Sequence, residues 1–307
     1  TASSTFANGI SLSGGCYAIN GTCIGSGTVD GSGSANKLAF WTGASTLSYN
    51  NNLSWLNSSS KFGIGTSTPN WELQIASSSG ATIAITDTSA TANTKHWTLS
   101  SLGGNFYLST SSDSLSASST YMWFDTNNYG TYLGKEAGRF SSIVPDYAQY
   151  NTYVGYASGH GPSSWISDNN TGVGALSLYS ATTGYDNTAI GYRALYGNLD
   201  GDQNVAIGSN VGTNIVYGSK NIIIGSNIDM PTDNGLELNI GNLIFGNNID
   251  GAQKIISSGN IGIGTTSPGA RFSISGASGG SVPLFAISTS TAGFATSTAF
   301  IIDSNGK

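Results

Sequence analysis

The stretch that decides the fold is Asp186–Asn210, DNTAIGYRALYGNLDGDQNVAIGSN, in which Asn-Thr-Ala-Ile-Gly returns one lap later as Asn-Val-Ala-Ile-Gly. Aligned on the closing glycine, related phrases end at Gly134, Gly155, Gly174, Gly191, Gly208, Gly225 and Gly241, with steps of 21, 19, 17, 17, 17 and 16 residues. A near-constant period this short means one supersecondary unit per lap, stacked as a solenoid, with these glycines at the repeat turn.

Alternation along the phrase sorts its side chains by face. Leu133, Val154, Val173, Ile190, Ile207, Ile224 and Ile240 precede the glycines; Thr131, Thr152, Thr171, Thr188, Val205, Ile222 and Leu238 lie two residues earlier on the same face. This wall is expected to be the inside of the coil, with the first column as the β-roll core. The small residue between (Gly172, Ala189, Ala206) is expected on the opposite face, where it admits a neighbouring wall. A second short strand at Arg193–Tyr196 and turns such as GNLDGDQN complete a lap of two strands and two turns, a β-roll.

Composition agrees. Charged residues are 8% of the 307, against about 25% in ordinary domains. The chain has 43 Gly, and its 15 Tyr, 11 Phe and 6 Trp give it surface to bury. Many short strands joined by tight turns need such a mixture, so the fold class is all-β. The net charge is −6, with no Lys/Arg cluster to neutralise phosphates, so nucleic acid is not a partner. No run approaches the roughly 18 apolar residues of a membrane helix, so no membrane insertion is expected in this region. TASSTFANGI has no basic and apolar leader pattern, and the chain is expected to be a piece of a longer protein. Cys16 and Cys23 suit a hairpin loop closed by a disulfide, with free thiols the alternative; the disulfide favours an oxidising, extracellular setting.

A second repeat pairs KFGIGTSTPNWELQI, Lys61–Ile75, with NIGIGTTSPGARFSI, Asn260–Ile274. Each carries Gly-Ile-Gly-Thr, then a proline (Pro69, Pro268) that marks a bend, then an alternating strand. A third is fainter: FIIDSNGK at the end parallels LSWLNSSSK before the first Gly-Ile-Gly-Thr. Four modules follow: residues 1–36, a Gly/Ser-rich segment with the disulfide loop; 37–128, a β-rich fibre module; 129–257, the β-roll; and 258–307, a second Gly-Ile-Gly-Thr module.

NTAIGYRALYGNLDGDQNVAIGSN resembles the head repeats of trimeric autotransporter adhesins and related repeats of phage tail-fibre proteins. ELNIGNLIFG and GIGTTSP look like elements of phage tail fibres and large bacterial surface proteins. The β-roll resemblance covers Gly130 to Asn248; its first laps depart from it, with Tyr132 and Tyr153 where small residues are usual. It implies a left-handed parallel β-roll in an elongated homotrimeric fibre. Three copies packed side by side would also cover the small-residue face and hide strand edges.

Chemistry is scarce. His96 and His160 are the only histidines, and Ser163 and Ser164 near His160 are expected by chance in a Ser-rich chain. Asp186, Asp200 and Asp202 sit in turns one lap apart, where carboxylates usually bond their own backbone. A glycosidase pair or a calcium site there is the sharper alternative. The Thr column lies on the expected inner wall and is not an ice-binding face. No catalytic residue, metal ligand or cofactor is assigned. Tyr147, Tyr150, Tyr156 and Trp165 crowd the irregular laps, as a ligand surface or as a cap sealing the solenoid.

The expected function is structural: an extracellular, homotrimeric fibre at a cell surface or virion tail, presenting adhesive or receptor-binding surface to a host-cell glycan or protein. The alternative is a glycan-degrading tailspike-type enzyme.

Overall fold

The computed structural model describes residues 17–19, 22–24, 35–41, 47–115, 118–139, 149–161, 167–250, 257–276, 283–290 and 296–303. They contain strands and turns and no helix. The chain forms two compact units, ending and beginning at Ala81 and Thr82.

In the first unit Tyr17–Ile19 pairs antiparallel with Thr22–Ile24, placing Ala18 opposite Cys23. Cys16 lies outside the described residues, and the expected disulfide with it. A four-stranded sheet follows: Lys37–Trp41, Leu47–Leu56, Lys61–Ile64 and Leu73–Ile75. Its last two strands are the first Gly-Ile-Gly-Thr segment, folded as a hook whose arms run parallel, Phe62 opposite Leu73 and Ile64 opposite Ile75. The second segment takes the same register, Ile261 opposite Phe272 and Ile263 opposite Ile274. The shared glycines explain the shared sequence. A Cβ on Gly63 or Gly262 would lie 2.5 Å from the carbonyl oxygen of Thr66 or Thr265, and Gly65 and Gly264 turn the chain at φ 78° and 70°.

The second unit is built on one fourteen-stranded sheet. An antiparallel meander of Ala81–Thr86, His96–Leu102, Asn105–Ser111 and Ser118–Asp125 leads into it. Seven coil strands follow, Gly130–Leu133, Thr152–Val154, Thr171–Val173, Thr188–Ile190, Val205–Ile207, Ile222–Ile224 and Leu238–Ile240, each paired parallel to the next. Ile244–Asn247 and the second hook complete it. The sheet runs without a break across residues 128 and 257, where module edges were expected. A separate antiparallel pair, Phe285–Ser290 with Thr296–Ile302, carries a bulge, as does the pair Lys37–Trp41 with Leu47–Leu56.

Two expectations about the coil are corrected. Arg193–Tyr196 is a turn, not a second strand. Arg193 and Leu195 adopt φ of 55° and 50°, and Leu176 and Leu178 do the same one lap earlier; alternating left-handed residues curl the chain where a strand would extend it. The faces are also reversed. Leu133, Val173, Ile190, Ile207 and Ile224 are 37–44% exposed, and Val154 and Ile240 are half-buried, so the column taken as the β-roll core faces out. The middle residue faces the lumen: Tyr132, Tyr153, Ala189, Ala206 and Ile223 are fully buried.

The physical reason is lumen width. Facing positions of a three-residue strand and its turn lie close together, so in the first coils a large side chain on one is met by a small one on the other. Where the strand offers Ala189 the turn supplies Leu195; where the strand offers Tyr153 the turn supplies Gly159, whose Cβ would overlap the ring. Gly172, one lap above Tyr153, faces that same ring. In the last coils the lumen is filled from both sides, with Ile223, Ile228 and Met230 all buried.

Polar groups inside the coil are matched just as regularly. Asn151, Asn170, Asn187, Asn204 and Asn221 are fully buried and stack in a ladder. Each backbone N–H from Asn170 to Asn221 donates to the side-chain oxygen of the asparagine one lap before, at 2.8–2.9 Å. Each side-chain amide from Asn151 to Asn221 donates to a backbone carbonyl of the turn that follows it, at 2.6–3.1 Å. Gly208 (φ 134°) marks the turn itself, where a Cβ would overlap the Gly225 carbonyl oxygen.

Asn204→Ala leaves the Asn221 N–H and the Gly218 carbonyl buried without these partners. A loss of roughly 2–6 kcal/mol is expected by denaturant unfolding, from two unsatisfied groups at about 1–3 kcal/mol each. Ser226→Ala, on the exposed surface, is expected to change stability by less than about 0.5 kcal/mol.

Candidate functional site

Four places carry the chemistry of the described residues. The first is the outward face of the long sheet. Pairing registers join Leu99, Leu108, Met122, Leu133, Val154, Val173, Ile190, Ile207, Ile224, Ile240, Ile244, Ile263 and Ile274 into one aliphatic column across thirteen strands. Beside it runs a second column in which Phe106, Phe124, Ile222, Ile261 and Phe272 are exposed. At a strand spacing of about 4.8 Å the stripe is roughly 60 Å long. Near its end an apolar cleft of about 340 Å³ is lined by Phe272, Ile274, Leu284, Phe285, Phe300 and Ile302.

The second is an aromatic stack on the other face. Tyr107, Trp123, Tyr132 and Tyr153 stand over one another at centroid separations of 5.9, 4.1 and 5.9 Å. Tyr132 and Tyr153 fill the lumen of the first two coils, and Trp123 continues the column into the meander, its indole N–H donating to the Ala137 carbonyl at 3.3 Å. These rings cap that end of the solenoid. Among the expected cap or ligand residues, Tyr150 is exposed and stacks on Tyr129 at 5.3 Å, and Tyr156 is exposed. Tyr147 and Trp165 lie outside the described residues, as do Ser163 and Ser164. The signal for the true cap was already in the sequence, as the two tyrosines that break the small-residue pattern.

The third is a cleft of about 320 Å³ where meander and first coil meet, lined by Tyr107, Ser119, Thr120, Trp123, Lys135, Glu136, Ala137 and Arg139. Glu136 lies 3.9 Å from Arg139 and 3.8 Å from His160. His160 is half-buried and stacks on Tyr179 at 4.9 Å, which stacks on Tyr196 at 5.1 Å. Burial holds its pKa below the ordinary histidine value; Glu136 opposes that shift and Arg139 adds to it.

The fourth is the set of carboxylates in the turns, which bind across laps. Asp200 accepts from the hydroxyls of Thr182 and Thr183, contacts that hold its carboxyl below the usual range. Asp202 accepts from the Tyr185 N–H at 3.0 Å. Asp233 accepts from the N–H groups of Val216, Tyr217 and Gly218. In these contacts each carboxylate fastens the preceding turn. Asp186 is exposed beside them, at a left-handed φ of 58°. No group of three or more His, Cys, Asp or Glu placed to hold a metal occurs among the described residues. His96 contacts the Thr86 hydroxyl at Nδ1 (3.0 Å) and Asp113 at Nε2 (3.4 Å). Asp113 also meets Lys95 at 3.3 Å and accepts from the Asn93 N–H, which ties down the hairpin loop.

Comparison with protein-family models, curated proteins and solved structures finds no match to this chain.

The lowered pKa of His160 gives a signed pH dependence. The unfolded chain takes up the proton first, so stability is full above about pH 6.5 and falls as pH drops through the lowered folded value. Melting temperatures at pH 7.5 and 5.5 are expected to differ by less in His160→Gln than in the parent.

Proposed function

We propose that the chain is a structural fibre protein that assembles side by side with two further copies of itself through the aliphatic column and presents its other surfaces as an adhesive or receptor-binding scaffold. The observation that carries this reading is the column itself. Monomeric proteins seldom expose a contiguous apolar stripe of this extent, and an aliphatic wall without charge marks a protein contact. Each coil strand turns only two side chains outward, so the wall is narrow, and three such walls can converge on one axis. The number three rests on the resemblance to trimeric adhesin heads and tail fibres.

The small-residue face was expected to take the neighbouring chains. That face is the lumen, so the interface moves to the column of Ile190, Ile207 and Ile224. The fibre reading also fits the turn carboxylates, which are engaged by threonine hydroxyls and backbone N–H groups of the preceding turn. The setting proposed is extracellular, at a cell surface or on a virion tail, with a host glycan or protein as partner. A glycan-degrading enzyme would release reducing ends from a polysaccharide, and the fibre is expected to release none.

Size-exclusion chromatography with light scattering tests the assembly. The parent is expected to run as a trimer at micromolar concentration. Ile190→Asp with Ile207→Asp is expected to shift it to monomer, because buried carboxylates in the interface would lie unpaired. A stable parent monomer, or a dimer, would overturn the three-chain reading.

A further inference from the structure

We propose that the cleft at the junction of meander and first coil binds a saccharide unit bearing a carboxylate, a hexuronic acid or similar acidic sugar. Its lining joins the three features such a ligand needs. Tyr107, half-buried at the outer end of the stack that covers Trp123, gives an aromatic ring for the apolar face of a pyranose. Ser119 and Thr120 supply hydroxyls for the ring substituents. Lys135 and Arg139 supply cations for the carboxylate, in a chain with only ten Lys and Arg in 307 residues. Lys135 is exposed, and among the described residues no carboxylate lies within ion-pair distance of it. The Arg139 side chain is 53% exposed at the cleft, and with Lys135 it outweighs the single carboxylate of Glu136 in the lining. The volume of about 320 Å³ falls at the small end of ligand sites, roughly 300–1,000 Å³, which suits one sugar ring.

Position adds to the argument. Tyr107 pairs with Trp123, while their chain neighbours Leu108 and Met122 pair in the aliphatic column. Successive residues of a strand face opposite ways, so the cleft opens away from the proposed assembly face. Three copies would therefore carry three such clefts on the outside, and weak single-site affinity would be multiplied by valency. The multivalent use rests on the fibre reading; the single cleft does not.

The test is titration of the full chain with glucuronate and galacturonate, followed by saturation-transfer NMR and calorimetry, beside glucose and acetate. Saturable millimolar binding of at least one uronate is expected, with glucose and acetate each about tenfold weaker or more, since one lacks the charge and the other the ring. Lys135→Gln and Arg139→Gln are each expected to weaken uronate binding about tenfold without moving the melting temperature. Lys220→Gln, an exposed cation in a distant turn, is expected to leave it unchanged. Acetate binding as well as the uronates would mean a plain anion site and overturn the proposal. So would no saturable response to either uronate, or unchanged binding in both cleft variants. Light scattering on the same samples reports the oligomeric state, so failure of the cleft and failure of the fibre reading are told apart.

Discussion

Everything in the solenoid depends on matching buried backbone groups from one lap to the next. A coil this narrow cannot keep water inside its turns, so each turn carbonyl and each N–H at the lap entry needs a fixed partner. The asparagine ladder supplies both at once, with one side chain accepting from the next lap and donating to the following turn. That double duty holds at lap lengths of 19, 17 and 16 residues alike: the Asn151 amide reaches a carbonyl 16 residues on, those of Asn170, Asn187 and Asn204 one 14 residues on, and that of Asn221 one 13 residues on.

The ladder also limits what the lumen can contain. With one edge of every coil held by amides, the remaining space is shared between the middle strand residue and one turn residue. The pairs Tyr153 with Gly159 and Ala189 with Leu195 are two solutions of the same volume constraint. The aromatic solution is used where the coil meets the meander, so that Trp123 and Tyr107 extend the stack and no open end of the lumen faces water there.

Much of this was legible in the sequence. The period, the all-β class and the two hooks followed from glycine spacing and alternation, because a repeated turn requires a repeated glycine. Which face points inward was not. Alternation groups Ile190 with Thr188 and sets Ala189 apart, but it is symmetric between inside and outside. Hydrophobicity then misleads, since the larger aliphatics went to the outer wall and the alanines to the lumen. The ladder was in plain view as the Asn opening five of the seven phrases, yet a lone Asn before a strand looks like an ordinary turn residue. The cleft could not be found from spacing at all. Tyr107 and Trp123 reach Lys135 and Arg139 only through the register of the meander against the first coil.

The unbroken run of the sheet through meander, coils and second hook has a mechanical consequence. Its strands lie across the stacking direction, so the hydrogen bonds between them point along it. Tension applied along the stack loads the rungs in series, and each rung bears it with only the bonds of a three- or four-residue strand plus whatever crosses beside it. In the coils from Asn151 to Asn221 the asparagine side chains cross from lap to lap, joined in some turns by carboxylates, and share that load. In the antiparallel segments longer strands take their place. The stack is thus reinforced by a different means in each segment, and its extensibility is set by the rung with the fewest crossing bonds rather than by its hydrophobic core.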